Sequence, residues 1–430
     1  MNIMRGAEQP RVFLARNFSL FRRGSPGEIL EAVKREFRRG TLFFSSTAPV
    51  EIIMSGVLTI ERIIAFLKVD LTFACCWPLS ADATRCQRIW DKVFRCLCCL
   101  NGMIMVIALW YTLFTGYTDT LLVMKVSCEL SACIQVPMQI TLFTLESDRL
   151  QVVISEMENY IQQAKSEEKG IFQRYVDKCK LFYGVTLCWI TITMVAMDFG
   201  PLLLPQPFPV AVHYPFHVEN QLLKIIIYLH HIMVVYQCYV QVCANVFVAL
   251  LLWFVAARFE ILSGEFRKAT SLSEFMRCIR LHQQLLGYAR DVTRTVRYVT
   301  VTSIGFSTVA VIFSGLTFLS RQPLTVKTQF LTLGMSALVE VFTCAWPADY
   351  VLNMSSNIAH AAYDSLWYNE KISLRKSLLY VVLRSHKPVI LSVPCMLPAL
   401  SLNYYASYLS TTFSYLTTFR AIFAEDGLQI

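Results

Sequence analysis

An all-α bundle of seven transmembrane helices, amino terminus inside and carboxyl terminus outside, is the fold class that this sequence predicts. Three observations predict it. Only 16% of the 430 residues are charged, while 55% are hydrophobic and the mean hydropathy is +0.48; a soluble chain carries about a quarter charged residues. Seven stretches reach the roughly 20 apolar residues that a bilayer crossing requires. The 39 Lys and Arg residues, set against 30 Asp and Glu, gather on one side of those stretches.

Residues 1–92 read as an inner-side region. Met1 to Arg23 is polar and basic with no apolar core of a secretory signal. Its Arg content resembles a mitochondrial presequence, but Glu28 to Arg39 reads as a short charged helix at a lipid surface. Leu42 to Ile60 is nearly long enough to span, yet it holds Pro49 and Glu51 and is followed by Glu61 and Arg62. It is expected to be interfacial or re-entrant.

The predicted spans run from Val93 to Phe114, Leu121 to Leu145, Leu181 to Leu204, Leu222 to Val255, Val296 to Leu319, Phe330 to Leu352 and Val389 to Phe419. The fourth and seventh are longer than a bilayer needs, so each continues beyond the lipid or breaks within it. Four units follow: the inner region 1–92, spans one to four in 93–257, inner helices with spans five and six in 258–388, and the last helix with its tail in 389–430.

Orientation rests on Lys and Arg. Arg149 to Lys180 lie between spans two and three, Arg258 to Arg294 between four and five, and Lys371 to Lys387 before seven. Only Lys125, Lys224, Arg321, Lys327 and Arg420 fall on or near the other side, leaving 34 of 39 at one face, which the positive-inside rule makes cytoplasmic. The surplus of +9 is therefore a membrane collar, not a nucleic-acid surface.

Catalytic and metal chemistry find no support, so no catalytic residue, metal ligand or cofactor is expected. The 15 cysteines fit no zinc spacing and read as small core hydrophobes, with Cys75 and Cys76 as candidates for acylation beside the membrane. His213 and His217 form an H-x-x-x-H pair, but Pro209 and Pro215 break the helix that pair would need. His230 and His231 point about 100° apart on a helix and cannot share a metal. A G-protein-coupled receptor would have the opposite orientation. The sequons at Asn17 and Asn353 fall on the inner face and are expected to carry no glycan.

Charges within spans are candidates for function. Lys125 and Glu129 are four apart and can neutralise each other. Glu340 has no partner near it in sequence and must face protein, water or a cavity. Asp198 ends span three and reads as interfacial. A transporter using Glu340 and the Lys125/Glu129 pair would show inverted repeats, and none is visible.

In the seventh span Ser407, Thr411, Ser414 and Thr418 form a small hydroxyl stripe that Ile422 extends, beside a bulky stripe of Tyr404, Tyr408, Tyr415 and Phe419. Such a face suits a narrow wet pore with an apolar gate or close helix packing through small residues, and composition does not separate the two.

Several motifs in order carry a resemblance. They are AAYDSLWYNE at 361–370, RKSLLYVVLRSHKPVIL at 375–391, SLNYYASYL at 401–409 and TTFSYLTTFR at 411–420. Upstream stand CCWP at 75–78, YPFH at 214–217 and CIRLHQQLL at 278–286. From about Phe73 to Arg420 the chain resembles the insect odorant receptors. The resemblance implies an odorant-specific subunit that joins a co-receptor in a heterotetrameric, nonselective cation channel of the neuronal plasma membrane. Its last helices would line the pore, tipping the hydroxyl stripe to a pore lining with Thr418 and Ile422 at the gate. It also implies a volatile organic ligand held in the outer half among spans two, three, four and six. The expected wall residues are Met124, Cys128, Thr191, Met194, Val195, Tyr228, Ile232, Phe330 and Gly334. Gustatory receptors are the nearest other family, but their Thr-Tyr-x5-Gln-Phe ending is missing. Departures from the family pattern are Ser392 to Pro394, Pro347 to Asp349 and His386.

Overall fold

The computed structural model describes residues 58–425 apart from 74–75, 81–82, 118–119, 204–207, 217, 320–322, 366 and 368–371, and nearly all of the described residues lie in ten helices. Glu28 to Arg39, most of Leu42 to Ile60, Cys75, Asn17 and His217 lie outside the described residues. The helices are α1 (Ile60–Phe73), α2 (Arg85–Thr115), α3 (Thr120–Leu145), α4 (Ser147–Gln163) and α5 (Ser166–Leu203), followed by α6 (Gln221–Lys268), α7 (Leu272–Leu319), α8 (Leu324–Tyr363), α9 (Ile372–Ser385) and α10 (Leu402–Glu425). Six of them, α2, α3 and α5–α8, are long and apolar enough to cross a membrane and contain the first six predicted spans, the third as far as Leu203. The chain is a multi-pass membrane protein. Helix α10 has 24 residues, also enough to cross, but is hydroxyl-rich.

Helix boundaries follow local chemistry. Before α2, Thr84 and Gln87 form a reciprocal capping box: Thr84 Oγ1 accepts from the Gln87 amide at 3.3 Å and Gln87 Oε1 from the Thr84 amide at 2.9 Å. Asn220 Oδ1 caps α6 by accepting from the Leu222 amide at 3.0 Å. Each of α6 and α7 has 48 residues, about 72 Å of helix against a hydrocarbon core of about 30 Å. The fourth predicted span thus continues as helix well past the bilayer.

The seventh does the reverse. Pro388, Pro394 and Pro398 lack amide donors, and the backbone between α9 and α10 is not helical. Val393 and Leu397 exchange backbone hydrogen bonds around a three-residue turn, with Cys395 in the left-handed region at φ 63°. The helix expected from Val389 therefore starts only at Leu402.

Helix α6 is the hub. Its buried residues face every direction from Val234 to Phe266, and it packs on α1, α2, α3, α5, α7 and α8. By contrast α2 presents Trp90, Leu97, Ile104 and Phe114 outward, a lipid-facing side. Helix α10 lies on α7 and α8. At the basic end, α4 and α9 pack against the extended parts of α7 and α8 respectively.

Candidate functional site

The far end of the bundle, opposite the basic loops, holds all nine expected wall residues, and they fall into two groups. Met124 and Cys128 on α3 are buried against α7: Thr317 Oγ1 donates to Met124 Sδ at 3.3 Å and Cys128 Sγ to the Ala310 carbonyl at 3.8 Å. Across the same helix, Gly334 on α8 is so close to Ser314 that a Cβ would sit 2.5 Å from its Oγ, and Phe330 is buried one turn away. Helix α7, absent from the expected wall, thus joins the two with a stripe of Ala310, Ser314 and Thr317.

The second group lies where α5 meets α6. Met194 is buried, Thr191 has an enclosed hydroxyl oxygen, and Tyr228 donates to the Asp198 carbonyl at 2.6 Å. Ile232 is half-buried one turn further along α6. Val195 turns outward and is 41% exposed, since it sits one position off the 191–194–198 face. Asp198, at the end of the third predicted span, is only 4% exposed and is held inside the bundle.

A segment before α6 covers this end. The Val210 amide donates to His231 Nδ1 at 3.3 Å, and the His213 amide to Thr112 Oγ1 at 2.8 Å. Because Nδ1 accepts, the proton of neutral His231 sits on Nε2 and is donated to the Tyr214 hydroxyl, 2.8 Å away. Burial pushes the Tyr214 hydroxyl up to about 12, so it stays a neutral phenol. His230 bonds instead to the Asn101 carbonyl at 3.1 Å, confirming that the two histidines serve different partners. Among the described residues no three His, Cys, Asp or Glu side chains are grouped to hold a metal, and Cys76 is buried, out of reach of an acyl group.

Deeper in the bundle Glu340 faces protein. Its Oε1 accepts from Gln135 Nε2 at 2.9 Å and Asn245 Nδ2 at 2.7 Å, and Oε2 accepts from Ser307 Oγ at 2.9 Å. Ser303 ties the ring together, accepting from Gln135 and Gln139 and donating to Asn245 Oδ1 at 3.0 Å. Four helices, α3, α6, α7 and α8, meet at this one carboxylate. The sequence reading marked only Glu340; the signal for the rest was uncharged amides inside apolar spans. Lys125 and Glu129 form the expected ion pair at 4.0 Å.

Helix α10 has two distinct faces. Tyr405 donates to the Leu338 carbonyl at 3.2 Å, Tyr408 and Thr412 are buried, and Leu416 meets Gly315. Ser407, Thr411, Ser414 and Thr418 are all exposed. Each donates its hydroxyl proton to the carbonyl four residues back, at 2.9 to 3.1 Å. Their oxygens are left as outward acceptors. Of the bulky stripe, Tyr408 packs inward, Tyr404 is half-buried, and Tyr415 and Phe419 are exposed. The side chain of Ile422 lies outside the described residues.

A family model for the 7tm odorant receptors matches residues 119–413. Odorant receptor Or2 of Anopheles gambiae is 26% identical over 160 residues, 36% of this chain and 40% of that protein. Odorant receptor 10 of Aedes albopictus is 25% identical over 153 residues, 35% of this chain and 40% of that protein. The chain thus spans about two-fifths of the length of these relatives. Among solved structures, the insect olfactory receptor OR5 of Machilis hrabei in complex with eugenol superposes with a TM-score of 0.72 at 14% identity, covering 84% of this chain and 98% of that one. A second structure of that receptor gives the same TM-score at 15% identity. At such identity the likeness is one of fold.

Proposed function

Because the chain belongs to the 7tm odorant receptor family, a family of receptors and not of enzymes, we propose that it is an odorant-specific subunit of a ligand-gated cation channel. A small volatile organic molecule binds in the far half of the bundle, and a co-receptor completes a heterotetramer around a shared pore. The basic end is cytoplasmic and the protein works in the plasma membrane of olfactory neurons.

The observation that carries this reading is the unused face of α10. Small-residue packing would bury the hydroxyl stripe, yet within the chain the packing is done by Tyr405, Tyr408, Thr412 and Leu416. A column of hydroxyl oxygens whose protons are committed to the helix offers acceptors to a hydrated cation and no donors to an anion. In this reading Ser407, Thr411, Ser414 and Thr418 line the pore and Ile422 pinches it shut. Ligand binding opens it only by stabilising the open arrangement, and α7 is the natural lever, touching the wall residues Met124, Cys128 and Gly334 and, through Thr308 and Gly315, helix α10.

Patch recording in cells expressing the chain with and without a co-receptor subunit is the test. Ligand-evoked cation current that requires both, and that is blocked by a cationic thiol reagent after Thr418→Cys, is expected. An odorant response without conductance in either condition, or current untouched by modification at position 418, would overturn the assignment.

A further inference from the structure

Among the described residues, Glu129 Oε2 on α3 and Asp198 Oδ1 on α5 are buried carboxylate oxygens in the far half of the bundle without a hydrogen-bond partner. Among the described residues, the buried nitrogens without a partner, His282 Nε2 and Arg297 Nε, lie toward the basic end. Asp198 is the sharpest case. It shares one face of α5 with Thr191 and Met194, at offsets of seven and four residues, and is 4% exposed. Its neighbour Tyr228 spends its only proton on the Asp198 main-chain carbonyl at 2.6 Å, so that hydroxyl cannot also serve the carboxylate. A buried carboxylate oxygen without a donor is costly, and the cost is relieved when the group takes up a proton or when a bound molecule supplies a donor.

We propose that Asp198 anchors the head group of the ligand, and that this receptor is tuned to volatile molecules that donate a hydrogen bond, primary amines and alcohols, over ethers and esters that only accept. The aliphatic tail then runs down α5 past Met194 toward Thr191. This rests on the ligand-gated reading above and adds to it the chemical class of the ligand.

The probes are hexylamine, hexanol and pentyl methyl ether, which have the same number of heavy atoms. Ligand-evoked current and the thermal shift of the purified chain are measured for each. Both donors are expected to act at concentrations at least about tenfold lower than the ether, the size of one hydrogen bond to a charged group. Asp198→Asn keeps the shape and one acceptor oxygen but loses the charge, and is expected to raise the amine concentration required at least about tenfold more than that of the alcohol. Asp198→Leu is expected to abolish the preference for donors over the ether. Equal potency of ether and donors on the native chain, or a preference that survives Asp198→Leu, would overturn the inference while leaving the channel reading intact. Thermal shifts without current for any probe would instead sink the channel reading. A native chain at the cell surface with neither shift nor current for the donors would overturn this assignment of ligand class.

Discussion

Gly315 on α7 and Leu416 on α10 meet so closely that a Cβ at position 315 would lie 2.9 Å from the leucine Cδ1 and 3.0 Å from Cδ2. This contact sets how near the exposed hydroxyl helix can approach the bundle. Gly315→Val adds a branched side chain where both leucine methyls already sit, and overpacking of this kind costs about 1–3 kcal/mol. Displacement of α10 should appear as altered basal current at normal surface expression. The double variant Gly315→Val, Leu416→Ala is expected to return the basal current toward its original level; a Gly315→Val channel with unaltered gating would remove α7 from the coupling route.

Glu340 is held by neutral donors from three other helices, so its removal leaves three of them without an acceptor at once. Glu340→Ala is expected to cost about 3 kcal/mol or more, because stranding buried polar groups is dearer than the bonds themselves are worth. Glu340→Gln keeps one acceptor oxygen and should fall between the two. The thermal midpoint of the detergent-solubilised chain measures the order; equal midpoints for Ala and Gln would mean that the network contributes no more than packing.

How much of this was legible in the sequence depends on distance along the chain. The first six spans could be read because apolar runs are local, and the Lys125/Glu129 pair because four residues are one helical turn. Gln135 and Asn245 stand 205 and 95 residues from Glu340, and only the folded bundle brings them together. The burial of Asp198 could not be read, because sequence shows its place at the end of a span but not the direction it faces. The stretch from Val389 to Leu400 misled by composition: its apolar content resembles a span, while its prolines and the turn at Cys395 forbid the helix. On α10 the hydroxyl stripe was visible in the sequence, but the packing face was not: of the bulky stripe only Tyr408 packs inward, and Tyr405, Thr412 and Leu416 complete the contact.

The segment over the far end should detach when its histidine anchor is lost. Tyr214→Phe removes one hydrogen bond to His231, worth about 1 kcal/mol, and His231→Ala removes the acceptor of the Val210 amide as well. Hydrogen exchange of residues 208–216 is expected to quicken modestly in the first variant and strongly in the second. Equal protection in both would show that the buried side chains of Phe208 and Val210, not His231, hold the segment.

At the basic end the Arg258 guanidinium lies 4.4 Å from the ring centre of Tyr160 and 5.2 Å from that of Tyr288, while it pairs with Glu156 at 2.8 Å. A planar cation can stack and pair together in a way that an ammonium cannot. Arg258→Lys is therefore expected to lose about 1–2 kcal/mol of stability despite keeping the charge, read as a lower thermal midpoint; an unchanged midpoint would reduce the site to a surface ion pair.

Asp349 ties α8 to the start of α10. From α8 its Oδ1 accepts from the Leu402 amide at 3.2 Å, at the first turn of α10, while Oδ2 accepts from Asn353 at 2.9 Å. Ser401 Oγ accepts from the Tyr404 amide at 3.1 Å, so the start of α10 is capped once by its own chain neighbour and once from another helix. The carboxylate also lies against the positive end of the α10 dipole. Asp349→Ala removes the tie between α8 and α10 and is expected to cost about 1 kcal/mol. Asp349→Asn, which keeps an acceptor but no charge, should lose only part of that. The informative readout is functional. If α8 holds α10 through Asp349, the basal open probability should change in Asp349→Ala and scarcely in Ser401→Ala, which weakens the same helix end without cutting the link. Equal effects of the two variants would mean that only helix capping, and no coupling between α8 and α10, resides in this residue.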